Sequence, residues 1–442
     1  MSFTEEPGFW ARLFGKRPPA KLEDGAEAQL RDEGSQSPKV VQVPKRAVKS
    51  RGASLPSFSS RARGDGNTTR SAGHMKKLRH AFTPSHPVAD SRLFAGRRRL
   101  LDKVVSLLED QHLHLVLYGD RGIGKTSIMR IIAELAKDAE YYVSYTSCGK
   151  DTRFDGLIRG LANRIPLLYH VEYDPTDGAV EEGETLESLF HSGEVTVADA
   201  TAVFEHLHGT QFLFLLDEFD RVESGAVREQ IAELIKNLSD RGVPVQFVIA
   251  GVASNLTALF SHIPSIRRNL IGMPVTRLEK DETEQLLDLG AGRSDRSFSK
   301  AAKQKVVSWS HGLPYIAQLI ALHASMSAIK RTSNTIELQD VENAGQEAEI
   351  EIGLRLSEAT RSVIENECRD WRFGVLKELA VEAIDGKDEL PSALLDRLDK
   401  STRDALILNT EGAHRFREEA AIPYILLLAR HLEGSQTVGK IA

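Results

Sequence analysis

Gly119-Asp120-Arg121-Gly122-Ile123-Gly124-Lys125-Thr126 has the spacing Gly-x-x-x-x-Gly-Lys-Thr, and its flanks decide the fold. Leu113 to Tyr118 ahead of it is an apolar run of strand length. Behind it, Ser127 to Lys137 puts Ile128, Ile131, Ile132 and Leu135 on one helical face. Strand, glycine-rich turn and helix together are the context of a phosphate-binding loop. The glycines let backbone N–H groups turn inward around an anion, and the helix N-terminus adds a favourable dipole. Gly119, Asp120, Arg121, Gly122, Ile123, Gly124, Lys125, Thr126 and Ser127 are therefore the expected nucleotide contacts. Lys125 supplies a cation to the β- and γ-phosphates, and Thr126 supplies a hydroxyl ligand to Mg²⁺.

A second motif strengthens the first. Phe212-Leu213-Phe214-Leu215-Leu216 reads as a central strand buried on both faces, and Asp217-Glu218 follows at its carboxyl end. Open α/β sheets place ligands at that end. In this Walker B pattern Asp217 holds Mg²⁺ and Glu218 is the general base that polarises the attacking water. The competing reading is an acidic strand end facing solvent, with Asp220 capping the next helix. The strand Val243 to Ala250 ends at Gly251-Val252-Ala253-Ser254-Asn255, where Ser254 or Asn255 can sense the γ-phosphate; Ser254 can equally be a helix N-cap. Arg267 and Arg268 are candidates to reach a nucleotide on a neighbouring subunit, or to form surface ion pairs.

Composition bounds the rest. The 442 residues suffice for two or three domains, and the apolar and charged fractions, 41% and 27%, are those of a water-soluble globular chain. There is no apolar run of membrane-spanning length, and Glu5, Glu6, Arg12 and Lys16 interrupt the N-terminal apolar stretches. The two cysteines, Cys148 and Cys368, match no metal spacing, so they read as reduced thiols and the expected location is cytoplasmic.

Charge is unevenly spread. Between Lys39 and Arg79, eleven lysines and arginines face one acid, Asp65, in a Ser/Gly/Pro-rich background. Such a segment is expected to be a disordered arm, suited to DNA or another acidic surface, or a plain solubilising tether. Ahead of it, Phe9, Trp10, Leu13 and Phe14 form a cluster able to dock on a partner protein, touch a membrane interface or fold back on the core. Glu172, Asp174, Asp177, Glu181, Glu182, Glu184 and Glu187 mark an acidic insertion that reads as a solvated loop. Toward the C-terminus, helices at 351–369, 373–384 and 392–398 precede two short strands around Thr410-Glu411-Gly412-Ala413 and an apolar helix from Pro423. That order suggests a winged helix-turn-helix.

These residues together resemble the AAA+ and STAND group of P-loop ATPases, in particular its origin-recognition, initiator-like branch, from about Phe82 to the C-terminus. The resemblance implies an α/β fold: an ASCE-type parallel sheet with helices on both faces, a helical lid and a C-terminal winged helix. It implies a tail over 1–80, a nucleotide-binding core over 81–276, a lid over 277–350 and a winged-helix domain over 351–442. Phe94-Ala95-Gly96-Arg97 is similar to the group's Phe-x-Gly-Arg box, so Phe94, Gly96 and Arg97 would line the adenine pocket. Gly312-Leu313-Pro314 is similar to its lid motif, with Pro314 against the adenine. The implied cofactors are ATP and Mg²⁺, and the implied assembly is an ATP-dependent homo-oligomer. No distinctive string matches the group's arginine-finger positions.

Three functions are consistent with this reading: a DNA-associated ATPase that loads or remodels something, an ATP-driven oligomerising switch in defence or stress signalling, and an adaptor holding a structural nucleotide. The first needs Arg397, Lys400, Arg403, Arg415 and Arg417 to face a phosphate backbone, yet the same segment carries Glu378, Glu382, Asp385, Asp388, Glu389, Asp396, Asp399 and Asp404. All three require the phosphate loop. Lys125→Ala is therefore expected to abolish ATP binding, because an uncompensated phosphate charge is costly to hold. Calorimetry of Mg-ATP on both proteins checks this, and equal affinities would remove the loop assignment.

Overall fold

The computed structural model describes residues 69–88, 90–253, 259–260, 268–368, 372–384, 389–410, 413–418 and 420–438. The Phe9/Trp10/Leu13/Phe14 cluster, the basic stretch up to 68, Ser254, Asn255 and Arg267 lie outside the described residues.

Five parallel strands form the central sheet: β1 (His114–Tyr118), β2 (Tyr142–Ser147), β3 (Phe212–Asp217), β4 (Val245–Gly251) and β5 (Leu270–Pro274). Their order is β2-β3-β4-β1-β5. β3 and β4 are buried along their whole length, which fits their continuous apolar sequences, because helices cover both faces of a parallel sheet. One cluster lies on the side of Phe154–Ala162, Val197–Phe204 and Gly225–Asp240. The other lies under Arg98–Glu109 and Lys125–Asp138. β5 is absent from the sequence reading. Gly272 and Pro274 disguise it, and it survives because an edge strand tolerates a proline at its end. The sequence suggests helical structure around 185–207. The observed elements are a 3-10 turn at Leu186–Leu189 and the capped helix Val197–Phe204.

The helices Lys280–Arg293, Lys300–Ser310, Pro314–Lys330 and Leu338–Gly353 follow the sheet, joined by a small ladder of β6 (Ser297–Phe298) and β7 (Thr335–Ile336). Leu338–Gly353 runs through the expected lid boundary at 350, because it packs on Pro314–Lys330 at one end and on the last helix at the other. The remaining elements are Glu358–Glu367, Arg372–Ile384, Ser392–Leu395, Lys400–Leu406, an antiparallel hairpin of β8 (Ile407–Thr410) and β9 (Ala413–Phe416), and Ala421–Val438.

Order also begins earlier than the sequence suggests. Thr69–Ala81, inside the stretch expected to be a disordered tail, is a helix. Leu78 and Phe82 anchor it in the apolar core of the helices that follow the sheet. Gly290 makes this possible: a Cβ there would lie 2.2 Å from Phe82 Cε1.

The sheet also holds a buried histidine. The backbone N–H of Phe247 donates to His114 Nδ1 at 2.9 Å, which leaves the proton on Nε2, 2.7 Å from Ser239 Oγ. Burial pushes the His114 pKa from 6.5 down to about 4. The unfolded chain thus binds this proton more readily than the folded one. Stability is predicted to fall as pH drops from about 6.5 to about 4, by about 3 kcal/mol from this group. Denaturant midpoints across that range should fall less steeply in His114→Gln than in the natural protein; parallel curves would show that His114 is not the group responsible.

Candidate functional site

The phosphate loop joins β1 to Lys125–Asp138. Gly119 has φ +145° and an added Cβ would lie 2.6 Å from the Val275 carbonyl oxygen. Gly124, at φ +98°, caps the helix and faces Arg97 Nη1 and the Pro314 ring, at 3.3 and 3.9 Å from where its Cβ would be. At both positions only glycine combines the backbone angle with the close approach. Lys125 is buried, and its Nζ donates to the carbonyl oxygens of Gly119 and Asp120 at 2.7 and 2.8 Å. The ammonium is therefore held inside the curve of the loop. Thr126 and Ser127 follow in the first turn of the helix.

The expected adenine box is tied to both the loop and the lid. Arg97 is 7% exposed and has φ +56°. Its guanidinium donates to the carbonyls of Ile123 and Thr276, and its backbone N–H to the Glu282 carboxylate. Burial lowers its pKa to about 10, with Glu282 opposing the shift, so it stays charged at neutral pH. The Gly96 N–H donates to Gln285 Oε1 at 3.1 Å. Phe94 is partly buried against the apolar cluster beneath the loop.

Asp217 is buried at the end of β3, next but one to β1, with β4 between them. Its Oδ2 accepts from the Tyr145 hydroxyl at 2.5 Å and its Oδ1 from the Glu218 N–H at 2.8 Å. Burial, and next the hydrogen bond to Asp217, hold the Tyr145 pKa well above the usual phenol range, so it remains a donor. Glu218 has φ +54°, an uncommon angle for a non-glycine residue that turns the chain sharply at the strand end. Its Oε2 accepts from Ser147 Oγ at 3.1 Å and pairs with Arg221 at 2.9 Å. Asp220 is not a helix cap: its Oδ1 accepts the Val252 N–H at 2.8 Å and so joins the acidic turn to the tip of β4.

A cleft of about 710 Å³ opens in front of the loop. Asp120, Arg121 and Gly122 form one wall, Leu313 and Tyr315 of the lid another, and His414 to Glu418 of the C-terminal hairpin a third. Arg268 lies elsewhere. It precedes β5, whose Leu270 is level with His114 at the start of β1, so it sits at the amino-terminal end of the strands, opposite to the loop. Its guanidinium is 4.0 Å from the Asp240 carboxylate, both exposed.

Among the described residues no group of three or more His, Cys, Asp or Glu side chains could hold a metal. A hydroxyl from Thr126 and a carboxylate from Asp217 are hard oxygen donors and fit Mg²⁺ completed by phosphate oxygens and water. Cys148 is free and buried. Desolvation, then the charges of Asp217, Glu218 and Asp220, push its thiol up to about 12, which makes it unreactive at neutral pH.

Tyr145, Ser147, Arg221 and the Asp220–Val252 link were missed from sequence. Alternation along β2 places Tyr145 and Ser147 on one face, but only the parallel register, Ser147 opposite Asp217, brings them to the acids.

Residues 93–249 match the family described as AAA ATPase domain. Lon protease 2 of Bacillus subtilis (strain 168) is 25% identical over 246 residues, which cover 52% of this chain and 43% of that protein. The chain thus spans less than half the length of this curated relative. Solved structures of similar shape include the RuvB Holliday junction branch migration motor of Thermotoga maritima, 17% identical with a TM-score of 0.43, covering 81% of this chain and 98% of that one. Cdc6p from Pyrobaculum aerophilum is also 17% identical, with a TM-score of 0.44 and the same coverages. A Walker-type ATPase of Pyrococcus abyssi is 17% identical, with a TM-score of 0.47, covering 77% and 98%.

The geometry around Asp217 makes a specific prediction. Partners that orient a metal-binding carboxylate typically contribute about 10–100-fold to metal affinity. Tyr145→Phe is expected to weaken ATP binding in the presence of Mg²⁺ by about 10-fold and to leave Mg²⁺-free binding unchanged. Titration of a non-hydrolysable ATP analogue with and without Mg²⁺ checks this; equal losses in both conditions would make the tyrosine a packing residue.

Proposed function

We propose that this chain binds and hydrolyses ATP with Mg²⁺ and acts as a DNA-associated remodeller or loader of the initiator-like kind. The observation that carries the ATPase reading is the placement of Lys125 and the Asp217–Glu218 pair at the carboxyl ends of β1 and β3 in one parallel sheet. The loop and Lys125 hold the phosphates, with Arg121 on the same cleft wall. Thr126 and Asp217 would hold Mg²⁺, which when bound neutralises developing charge on the phosphates. Glu218, turned out of the strand and able to leave Arg221, takes the proton of the attacking water. Ser254 and Asn255, which follow β4 in the sequence, remain the candidates to sense the γ-phosphate, and Phe94, Gly96, Arg97 and Pro314 the candidates to border the adenine.

The second reading is an ATP-driven oligomerising switch that recruits a partner protein. It is favoured by the state of the C-terminal arginines. Arg397 pairs with Glu378 at 3.0 Å, Arg403 with Asp396 at 3.3 Å, and Arg417 donates to the Asp404 carbonyl at 2.8 Å. Three of the five cations needed for a DNA-facing winged helix are thus engaged locally. In either reading Arg267 or Arg268 is the candidate to serve a neighbouring subunit, the alternative being a surface ion pair such as that of Arg268 with Asp240.

Glu218→Gln is expected to bind ATP as the natural protein does and to lose about 10²–10⁴ in turnover; phosphate release within a factor of two would assign the base elsewhere. For the shared site, mixing Arg268→Ala with Lys125→Ala subunits, and Arg267→Ala likewise, should restore activity that neither has alone. Light scattering that stays monomeric with ATP, with activity per subunit independent of concentration, would leave a single-chain switch. Salt-dependent DNA binding separates the first reading from the second.

A further inference from the structure

The helix Thr69–Ala81 buries a narrow stripe. Met75 and Leu78 face the lid, and Phe82 beyond its end fills the space above Gly290. Lys76, Lys77, Arg79 and His80 are exposed, and the helix contains no acidic residue. Lys77 reaches Asp295 at 2.5 Å; no ion pair is found for Lys76 or Arg79 among the described residues. Basic side chains in the last turn complement the helix dipole, but that accounts for Arg79 and His80 and not for Lys76. The sequence leading into the helix adds Lys39, Lys45, Arg46, Lys49, Arg51, Arg61 and Arg63.

The connector after this helix laces the lid to the nucleotide site. The Thr83 N–H donates to Gln318 Oε1 on Pro314–Lys330 at 2.8 Å. Five residues on, the Val88 N–H donates to Ser127 Oγ at 3.1 Å, one residue past Thr126. Asp90 lies 3.5 Å from Arg293 of the lid, and the Ser91 N–H and Oγ donate to the Glu134 carboxylate of the phosphate-loop helix at 2.9 and 3.1 Å. One stretch of chain therefore carries a cationic helix on the lid at one end and touches the first and third turns of the phosphate-loop helix at the other.

We propose that Thr69–Ala81 is a DNA-backbone contact mounted on the lid, and that the connector couples its occupancy to nucleotide affinity. Charge complementarity selects the partner: exposed cations on a helix without carboxylates, continuous with a basic chain segment, suit a phosphate backbone. The inference rests on the DNA-associated reading. Coupling is reciprocal: whatever factor DNA applies to ATP affinity, ATP must apply to DNA affinity.

The test uses the full chain, a fluorescent duplex oligonucleotide and calorimetry of a non-hydrolysable ATP analogue. Lys76→Ala/Arg79→Ala should weaken DNA binding and reduce the slope of log affinity against log salt by about 2, near 0.9 for each phosphate no longer neutralised. Its melting temperature should be unchanged, because both side chains are exposed. Glu134→Ala, which removes the acceptor of both Ser91 donors, should keep DNA affinity but shrink the mutual effect of DNA and nucleotide. If the natural protein binds DNA and the double variant does so equally, with the same salt slope, the helix is not the contact and the DNA-associated reading stands. If Glu134→Ala leaves the mutual effect intact, the connector is not the link. If the natural protein binds no DNA at all, both the inference and the reading it rests on fall.

Discussion

Arg97 is the constraint on which the rest of the site depends. A guanidinium does not shed its charge in a protein, so a buried one must be met by oxygen atoms on several sides. Here two carbonyls meet the guanidinium, those of Ile123 in the phosphate loop and Thr276 at the exit from the sheet, while the Glu282 carboxylate takes the Arg97 backbone N–H and Nε is buried without a hydrogen-bond partner. Its three bonds form together only when the loop, the exit from the sheet and the helix carrying Glu282 are all in place. Gly124 leaves room for it, and Gly96 lets the Glu282 side chain come close. The loop conformation and the lid position are thereby linked through one residue that need not touch a phosphate.

The acidic turn shows the same logic on the other side of the cleft. β3 is continuously apolar and buried, so its first charged residues can emerge only at the strand end. Asp217 is oriented by two donors, Tyr145 from the neighbouring strand and the N–H of Glu218. Asp220 then ties the turn to β4. The Asp217 carboxylate is thus held by fixed donors, while the neighbouring glutamate is exposed and held by exposed side chains. If the proposed roles hold, a fixed metal ligand would stand beside a movable base.

The lid is where the chain departs most from a plain nucleotide-binding core. It receives the N-terminal helix through Phe82, contributes Pro314 and Tyr315 beside the loop, and continues by Leu338–Gly353 into the C-terminal elements. Its long helices are nearly all-round apolar on their inner turns, as in Pro314–Lys330, because they are covered on several sides. The N-terminal helix packs on this layer, and the C-terminal hairpin lines the same cleft as its Leu313 and Tyr315.

Much of the fold was legible in the sequence because its signals are local. The glycine spacing of 119–126, the apolar run before Asp217 and the helical stripes of Arg98–Glu109 and Lys125–Asp138 each need no distant partner to be read. β5 was not legible, since Gly272 and Pro274 mask a strand that exists only because β1 offers it an edge. The helix Thr69–Ala81 was hidden inside a basic, polar stretch whose few apolar residues become meaningful only against Gly290 and the lid. The same division holds for the site. Residue types at fixed spacing picked out Lys125, Thr126, Asp217 and Glu218 as candidates, because motifs for phosphate and Mg²⁺ recognition are contiguous in sequence. Tyr145, Ser147, Arg221 and the carbonyl partners of Arg97 were decided by tertiary structure alone, because strand register and helix docking, which bring residues far apart in the chain within hydrogen-bond reach, leave no trace in local spacing.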